Sequence, residues 1–129
     1  YHGNILRDRC SAEGIVRERA PLSVTVLPEC ARCGELLRPD VVWFGESIPR
    51  RALLEADLAA AECDVFMSIG TAAMVYPAAG LAERALRSGA KIIEVNTDAT
   101  GLTPLADVTL RGPSGELLPQ LVEQLLGGA

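Results

Sequence analysis

The chain has 129 residues, 49% of them hydrophobic, with a formal net charge of −5. That is enough apolar material for a buried core in the size range of one domain, and it excludes a disordered chain. The acidic balance without any lysine or arginine run excludes the footprint of a nucleic-acid or anionic-membrane binder; no apolar run approaches the roughly twenty residues of a membrane span and no secretory leader pattern stands out, so a cytoplasmic location is expected.

The opening "YHGN" carries the only histidine, His2. It has neither an initiator Met nor a lead-in element, and so reads as a piece of something longer. A lone His is more often an ordinary residue than a catalyst. Followed by Gly3, however, its ring could face an open cleft, where a near-neutral pKa suits a base.

Residues 5–38 hold Cys10, Cys30 and Cys33 with short β-rich runs such as Leu22 to Leu27. This is the pattern of a small metal-stapled β module with little periodic apolar surface of its own. "CARCG" (30–34) reads as one knuckle of a zinc ribbon, two thiolates presented from a tight turn. The partner stretch "RCSAEG" (9–14) has Cys10 in place but Glu13 where a matching thiol should stand. Cys63 lies outside the module and reads as a buried, small apolar residue.

"LRPDVVWFGE" (37–46) reads as an edge strand, with the apolar run Val41 to Phe44, followed by a glycine turn carrying an acid. An edge main chain is free to pair with an extended peptide. Extended, Trp43 and Phe44 would point to opposite faces, one inward and one to a groove. A helix with Leu54, Leu58 and Ala61 on one stripe follows, then an apolar strand over 64–70. Pro77 suits the first turn of the next helix, which buries Ala78, Leu81, Ala82, Ala85 and Leu86 and is capped by Gly89. Strands over 91–96 and 108–110 precede a closing helix over 115–126 with Pro119 near its start.

Buried strands alternating with amphipathic helices predict parallel β-α-β units, in which ligands bind beyond the carboxyl ends of the strands. Gly70, Thr71, Ala72, Asn96, Thr97 and Asp98 occupy those ends. The small-residue turn at 70–72 lets a phosphate or sugar approach the backbone, or is simply a tight β-α turn. The carboxamide, hydroxyl and carboxylate at 96–98 suit ribose hydroxyls, and equally an Asx turn.

Taken in order, "HGN", "RC", "CARCG", "LRPDVVWFGE", "DVFMSIGTA", "VYPAAG", "VNTD" and "GPSGELLPQLVEQLL" resemble the C-terminal part of a sirtuin, one of the NAD-dependent protein-lysine deacylases, most like the bacterial class III branch. The resemblance implies an α/β fold. Residues 1–4 and 39–129 would form the C-terminal part of a Rossmann-like NAD-binding domain with a parallel sheet, and 5–38 a small zinc-ribbon-like module. It makes His2 the general base. In the family's mechanism the acyl oxygen of the modified lysine attacks the nicotinamide ribose and nicotinamide leaves. The His then accepts a proton from the ribose hydroxyls so that they can attack the alkylimidate so formed, yielding deacylated lysine and O-acyl-ADP-ribose.

The same resemblance places Gly70 and Thr71 on the NAD phosphate and adenosine side, with Ala72 replacing a serine so that one hydroxyl contact is lost. Asn96, with Thr97 and Asp98 beside it, would bond the adenosine ribose, and Ser114 would lie in the last loop, beside the adenine. Val42, Trp43, Phe44, Gly45 and Glu46 would pair with an acyl-lysine protein or peptide, the implied partner, carrying an acetyl, malonyl or succinyl group. Cys10, Cys30 and Cys33 would hold a structural zinc. For its fourth position three answers stand: a carboxylate oxygen of Glu13, a water, or loss of the metal. One carboxylate in place of a soft thiolate lowers the preference for the ion, so a weakened or absent zinc is expected.

The family's Gly-Ala-Gly-x-Ser phosphate loop and Gln-Asn-x-Asp motif precede its histidine and would lie upstream of Tyr1. These 129 residues are therefore expected to be inactive alone. Competing readings are a non-enzymatic binding module that uses the ribbon face and the Trp43 strand, and another enzyme on a related nucleotide fold.

Overall fold

The computed structural model describes residues 1–19 and 27–127; of the predicted β run over 22–27, all but Leu27 lies outside them. The chain divides into two compact units, Tyr1–Leu53 and Leu54–Ala129.

The first unit is built on an antiparallel sheet of β1 (Gly3–Cys10), β2 (Val16–Glu18) and β3 (Leu37–Val41), in the order β2-β1-β3. Its small core is Cys10, Cys30 and Leu37, as expected of a module with too few apolar side chains to hold itself together by burial. The β1–β3 register runs Gly3↔Val41 and Asn4↔Asp40, then shifts to Asp8↔Pro39. The irregularity leaves Ile5 and Leu6 exposed and turns Arg7 and Arg9 onto one carboxylate, that of Asp40. Gly3 is there for space: its φ is +92°, and a Cβ would be driven into the Asp40 carbonyl oxygen.

β3 ends at Val41, so the apolar run expected as strand through Phe44 leaves the sheet after its first residue. The chain turns at Gly45, φ +87°. The Glu46 N–H bonds the Trp43 carbonyl at 3.0 Å, and a Glu46 carboxylate oxygen accepts from the Trp43 N–H at 3.1 Å.

The second unit is α/β. β4 (Val65–Ile69), β5 (Lys91–Asn96) and β6 (Val108–Arg111) form a parallel sheet in the order β4-β5-β6, with α2 (Gly80–Arg87) in the β4–β5 crossover and α3 (Ser114–Leu126) after β6. A 3-10 turn over Thr103–Leu105 lies in the β5–β6 connection. Ala60, Ala82, Ala85, Ala90, Ile92 and Leu102 make the core, and Phe66 and Cys63 pack against it. Gly89, φ +91°, closes α2 as expected.

Three expectations change here. In α1 (Arg50–Glu62) the buried residue is Ala60, while Leu54 and Leu58 are more than half exposed. The helix turns its small-residue face, not its leucines, to the core that Ala82, Ala85, Ala90, Ile92 and Leu102 build. β4 is also not buried on both sides. It stands at a sheet edge, and Val65, Met67 and Ile69 are 38–50% exposed while Ser68 on the alternate face is buried. Pro77 precedes α2 by three residues, in a turn where Ala79 N bonds Val75 O and Gly80 N bonds Pro77 O.

Candidate active site and metal centre

In the first unit, the two knuckles are the same turn twice. Gly14 N bonds Cys10 O at 2.9 Å and Gly34 N bonds Cys30 O at 2.8 Å, with both glycines at positive φ (69° and 79°). Cys10 N bonds Ile15 O, and Cys30 N bonds Glu35 O. Glu13 therefore stands where Cys33 stands in the second turn. The ligand atoms of Cys10, Glu13, Cys30 and Cys33 lie within 4.8 Å of one another. Cys10 Sγ and Cys33 Sγ are 3.5 Å apart, and the Glu13 N–H points at Cys10 Sγ at 3.3 Å.

Three thiols and a carboxylate at this spacing are a donor set that fits a zinc ion. Zinc there would supply a structural cross-link. The thiols also need a cation to ionise together. The N–H groups of Arg32 and Cys33 lower the pKa of Cys30. At Cys33 the Glu35 N–H works in the same direction, but desolvation and the neighbouring thiols outweigh it and push the thiol up to about 11. One Glu13 oxygen meets Arg32 Nε at 3.3 Å.

His2 is exposed, its ring edge-on to Tyr1 at 5.0 Å. Its carbonyl accepts the Val42 N–H at 2.8 Å, which ties the histidine backbone to the segment that follows β3. β3 is an edge strand, and among the described residues no further strand pairs with it. Beyond it Trp43 is 52% and Phe44 96% exposed, so neither packs inward. Arg38 organises this turn: its Nη2 donates to both Glu46 oxygens at 2.9 and 3.1 Å, its Nη1 to Val41 O at 3.1 Å, and its guanidinium lies 4.6 Å over the Trp43 ring. The Trp43 N–H, ahead of Arg38, holds the Glu46 carboxyl below its ordinary value.

In the second unit, the carboxyl ends of β4 and β5 meet. Gly70, φ +61°, donates its N–H to Val95 O at 2.9 Å. The Asn96 carboxamide bridges the two turns, donating Nδ2 to Thr71 O at 2.8 Å and accepting the Thr97 N–H at 2.9 Å. Thr71 Oγ1 accepts the Ala73 N–H at 3.2 Å. Ala73 is left-handed at φ +52°, a conformation that a non-glycine residue holds only where its surroundings enforce it. Thr97 Oγ1 donates to Asp98 at 2.7 Å, and both residues are exposed. Ser114 opens α3 rather than lying in the loop before it. Gly112, two residues earlier, bonds Asn96 O at 3.1 Å and brings that segment to the same strand ends.

Thus the strand-end residues come together, as do the four candidate metal ligands. The sequence reading missed the charged groups that hold these elements: Asp40 with Arg7 and Arg9, Arg38 with Glu46, and Glu94 with Arg111. A signal was present. A glutamate inside "KIIEVN" has no reason to sit in a buried strand unless it is partnered there.

Residues 1–77 match the sequence profile of the Sir2 family. A relative from Thermococcus kodakarensis named NAD-dependent protein deacylase is 46% identical over 131 residues, covering 96% of this chain and 51% of its own length. A Sir2 homolog solved as an NAD complex superposes with a TM-score of 0.91 at 41% identity, covering 98% of this chain and 50% of that one. Sir2Tm bound to a propionylated peptide follows at TM-score 0.82 and 29% identity, covering 98% and 54%. The chain spans about half the length of the curated relatives it matches. The profile match, the identity along almost the whole chain and the shared fold have one meaning: the chain belongs to the Sir2 family.

Proposed function

We propose that this chain is the C-terminal half of an NAD-dependent protein-lysine deacylase, which transfers an acyl group from lysine to ADP-ribose with release of nicotinamide. The observation that carries the reading is the pair of strand-end turns at 70–73 and 96–98, joined by Asn96 and lined with small residues and hydroxyls. That is the position and chemistry with which a parallel sheet receives a nucleotide. The names and bound ligands of the relatives point the same way.

In this reading Gly70, Thr71 and Ala72 take the phosphate and adenosine side, Asn96, Thr97 and Asp98 the ribose, and Ser114 the adenine end. A ring nitrogen of His2 accepts the proton of a ribose hydroxyl, and Gly3 together with the Val42 bond sets its backbone. The open edge beyond β3, with Val42, Trp43, Phe44, Gly45 and Glu46, receives the acyl-lysine peptide as an added strand. The ribbon over 5–38 is a clip closed by zinc on Cys10, Cys30, Cys33 and Glu13, held less tightly than by four thiolates. Residues 1–4 and 39–129 belong to the NAD-binding part.

The full-length protein, incubated with NAD and an acyl-lysine peptide, releases nicotinamide and O-acyl-ADP-ribose. His2→Ala lowers that turnover by roughly 10²-fold or more, the usual worth of a general base. Turnover unaffected by His2→Ala overturns the assignment.

A further inference from the structure

Glu94 is the most deeply buried charged side chain among the described residues, and its side-chain partners come from the β5–β6 connection and from β6. Thr100 Oγ1 donates to one of its oxygens. Thr103 Oγ1 at 2.7 Å and Arg111 Nη2 at 2.8 Å donate to the other. Arg111 reaches on: Nη2 also meets Thr103 Oγ1 at 2.9 Å, and Nη1 donates to the Asp98 carbonyl at 2.8 Å. The two threonine hydroxyls accept loop N–H groups in turn, Thr100 Oγ1 from Leu102 at 3.0 Å and Thr103 Oγ1 from Thr100 at 2.8 Å.

A buried carboxylate is an expensive way to fill a strand position, since an apolar side chain of the same volume is often as stabilising or more so. What an apolar residue cannot do is fix a loop at several points. Here one carboxylate and one guanidinium fork hold residues 98, 100 and 103, and Leu102 is seated in the core. The exposed side chains of Thr97 and Asp98 are left to bond each other at the strand end.

We propose that Glu94 and Arg111 are positioning residues that hold the 96–103 loop in the shape that receives the adenosine half of the dinucleotide. This rests on the deacylase reading and deepens it. Neither residue is required to touch the ligand. Glu94 fixes the fork, and the fork fixes the Asp98 carbonyl, so that the ribose finds its partners already in place and the ordering cost of binding is lowered.

The test is calorimetric titration of the full-length protein with ADP-ribose, alongside steady-state kinetics. Arg111→Lys keeps a positive charge beside Glu94, but a single ammonium cannot span Glu94, Thr103 and the Asp98 carbonyl at once. It should weaken ADP-ribose binding about 5- to 20-fold and raise KM for NAD by a similar factor. Turnover at saturating NAD and KM for the peptide should stay within about twofold. Glu94→Gln should act in the same direction, and both variants should speed amide exchange over residues 97–102.

Ala85→Gly, a core change outside the loop, lowers the melting temperature and should leave the ADP-ribose affinity alone, which separates positioning from general destabilisation. Equal affinity in wild type, Arg111→Lys and folded Glu94→Gln overturns this inference while leaving the deacylase reading intact. A wild-type protein that binds no ADP-ribose overturns both.

Discussion

Asp40→Asn is the substitution that most directly tests how the first unit is held. Asp40 has 5% of its side chain exposed and accepts three contacts: Arg7 Nη2 at 3.0 Å, and Arg9 Nη2 and Nε at 2.7 and 2.8 Å. The amide keeps the shape but removes the charge, and it turns an NH2 group towards guanidinium donors. Stranding the partners of a fully buried pair costs about 3–5 kcal/mol, whereas exposed pairs are worth about 0.2–1 kcal/mol. Arg7 and Arg9 are 41% and 38% exposed, so water rehydrates part of what is lost. The expected cost is therefore about 2–3 kcal/mol. With a urea dependence of about 1–2 kcal/mol/M, that lowers the unfolding midpoint by roughly 1–3 M. Trp43 is the only tryptophan and lies in this unit, so its fluorescence reports the transition directly. Arg9→Ala should cost much less in the Asp40→Asn background than in the wild type. A midpoint shift below about 0.3 M, or strictly additive costs, refutes the reasoning.

Further outcomes follow from other contacts. Gly3→Ala meets both a positive φ and the Asp40 carbonyl, so it should destabilise by at least about 2 kcal/mol in thermal or urea melts, near the upper end of the strain cost at such positions. In competition with a chromophoric chelator, Glu13→Cys should bind zinc roughly tenfold more tightly and Glu13→Ala more weakly; equal affinity of Glu13→Ala and wild type shows that the carboxylate is no ligand. Phe44→Ala should change stability by less than about 0.5 kcal/mol, because the ring is 96% exposed, yet raise KM for the acyl-lysine peptide several-fold in the full-length enzyme.

In acid, burial would raise the Glu94 carboxyl, but Thr100, Thr103 and Arg111 outweigh it and hold it below its ordinary 4.5. Lys91 and the Ile92 N–H similarly lower Asp107. A depressed folded value stabilises fully above the unfolded one and is lost as pH falls through the folded one. Circular dichroism should therefore show stability declining below about pH 4.5, with a shallower decline in Glu94→Gln.

The order of elements in the second unit was legible in the sequence because hydrophobic period is a local property, whereas β1 and β2, without a periodic apolar face, were not. "DVFMSIG" and "KIIEVN" with an alanine-rich helix between them demand parallel strands, and parallel strands place Gly70 and Asn96 at neighbouring ends. The zinc knuckles were legible for the same reason, each being one four-residue turn closed by a glycine. Which face a helix buries was not: in α1 the leucine stripe and the alanine stripe are equally periodic, and only the core assembled from α2, β5 and the loops after them selects Ala60. Nor were the partners of the buried carboxylates. Arg9 and Asp40 are 31 residues apart and Glu94 and Arg111 are 17 apart. Such pairs exist only once strand register and loop closure bring them together. The sequence by itself determined the parallel strands of the second unit, the turns and the residue types of the site; tertiary structure decided the antiparallel sheet of the first unit and which charges meet, because a buried charge takes its partner from whatever the fold places beside it rather than from its neighbours along the chain.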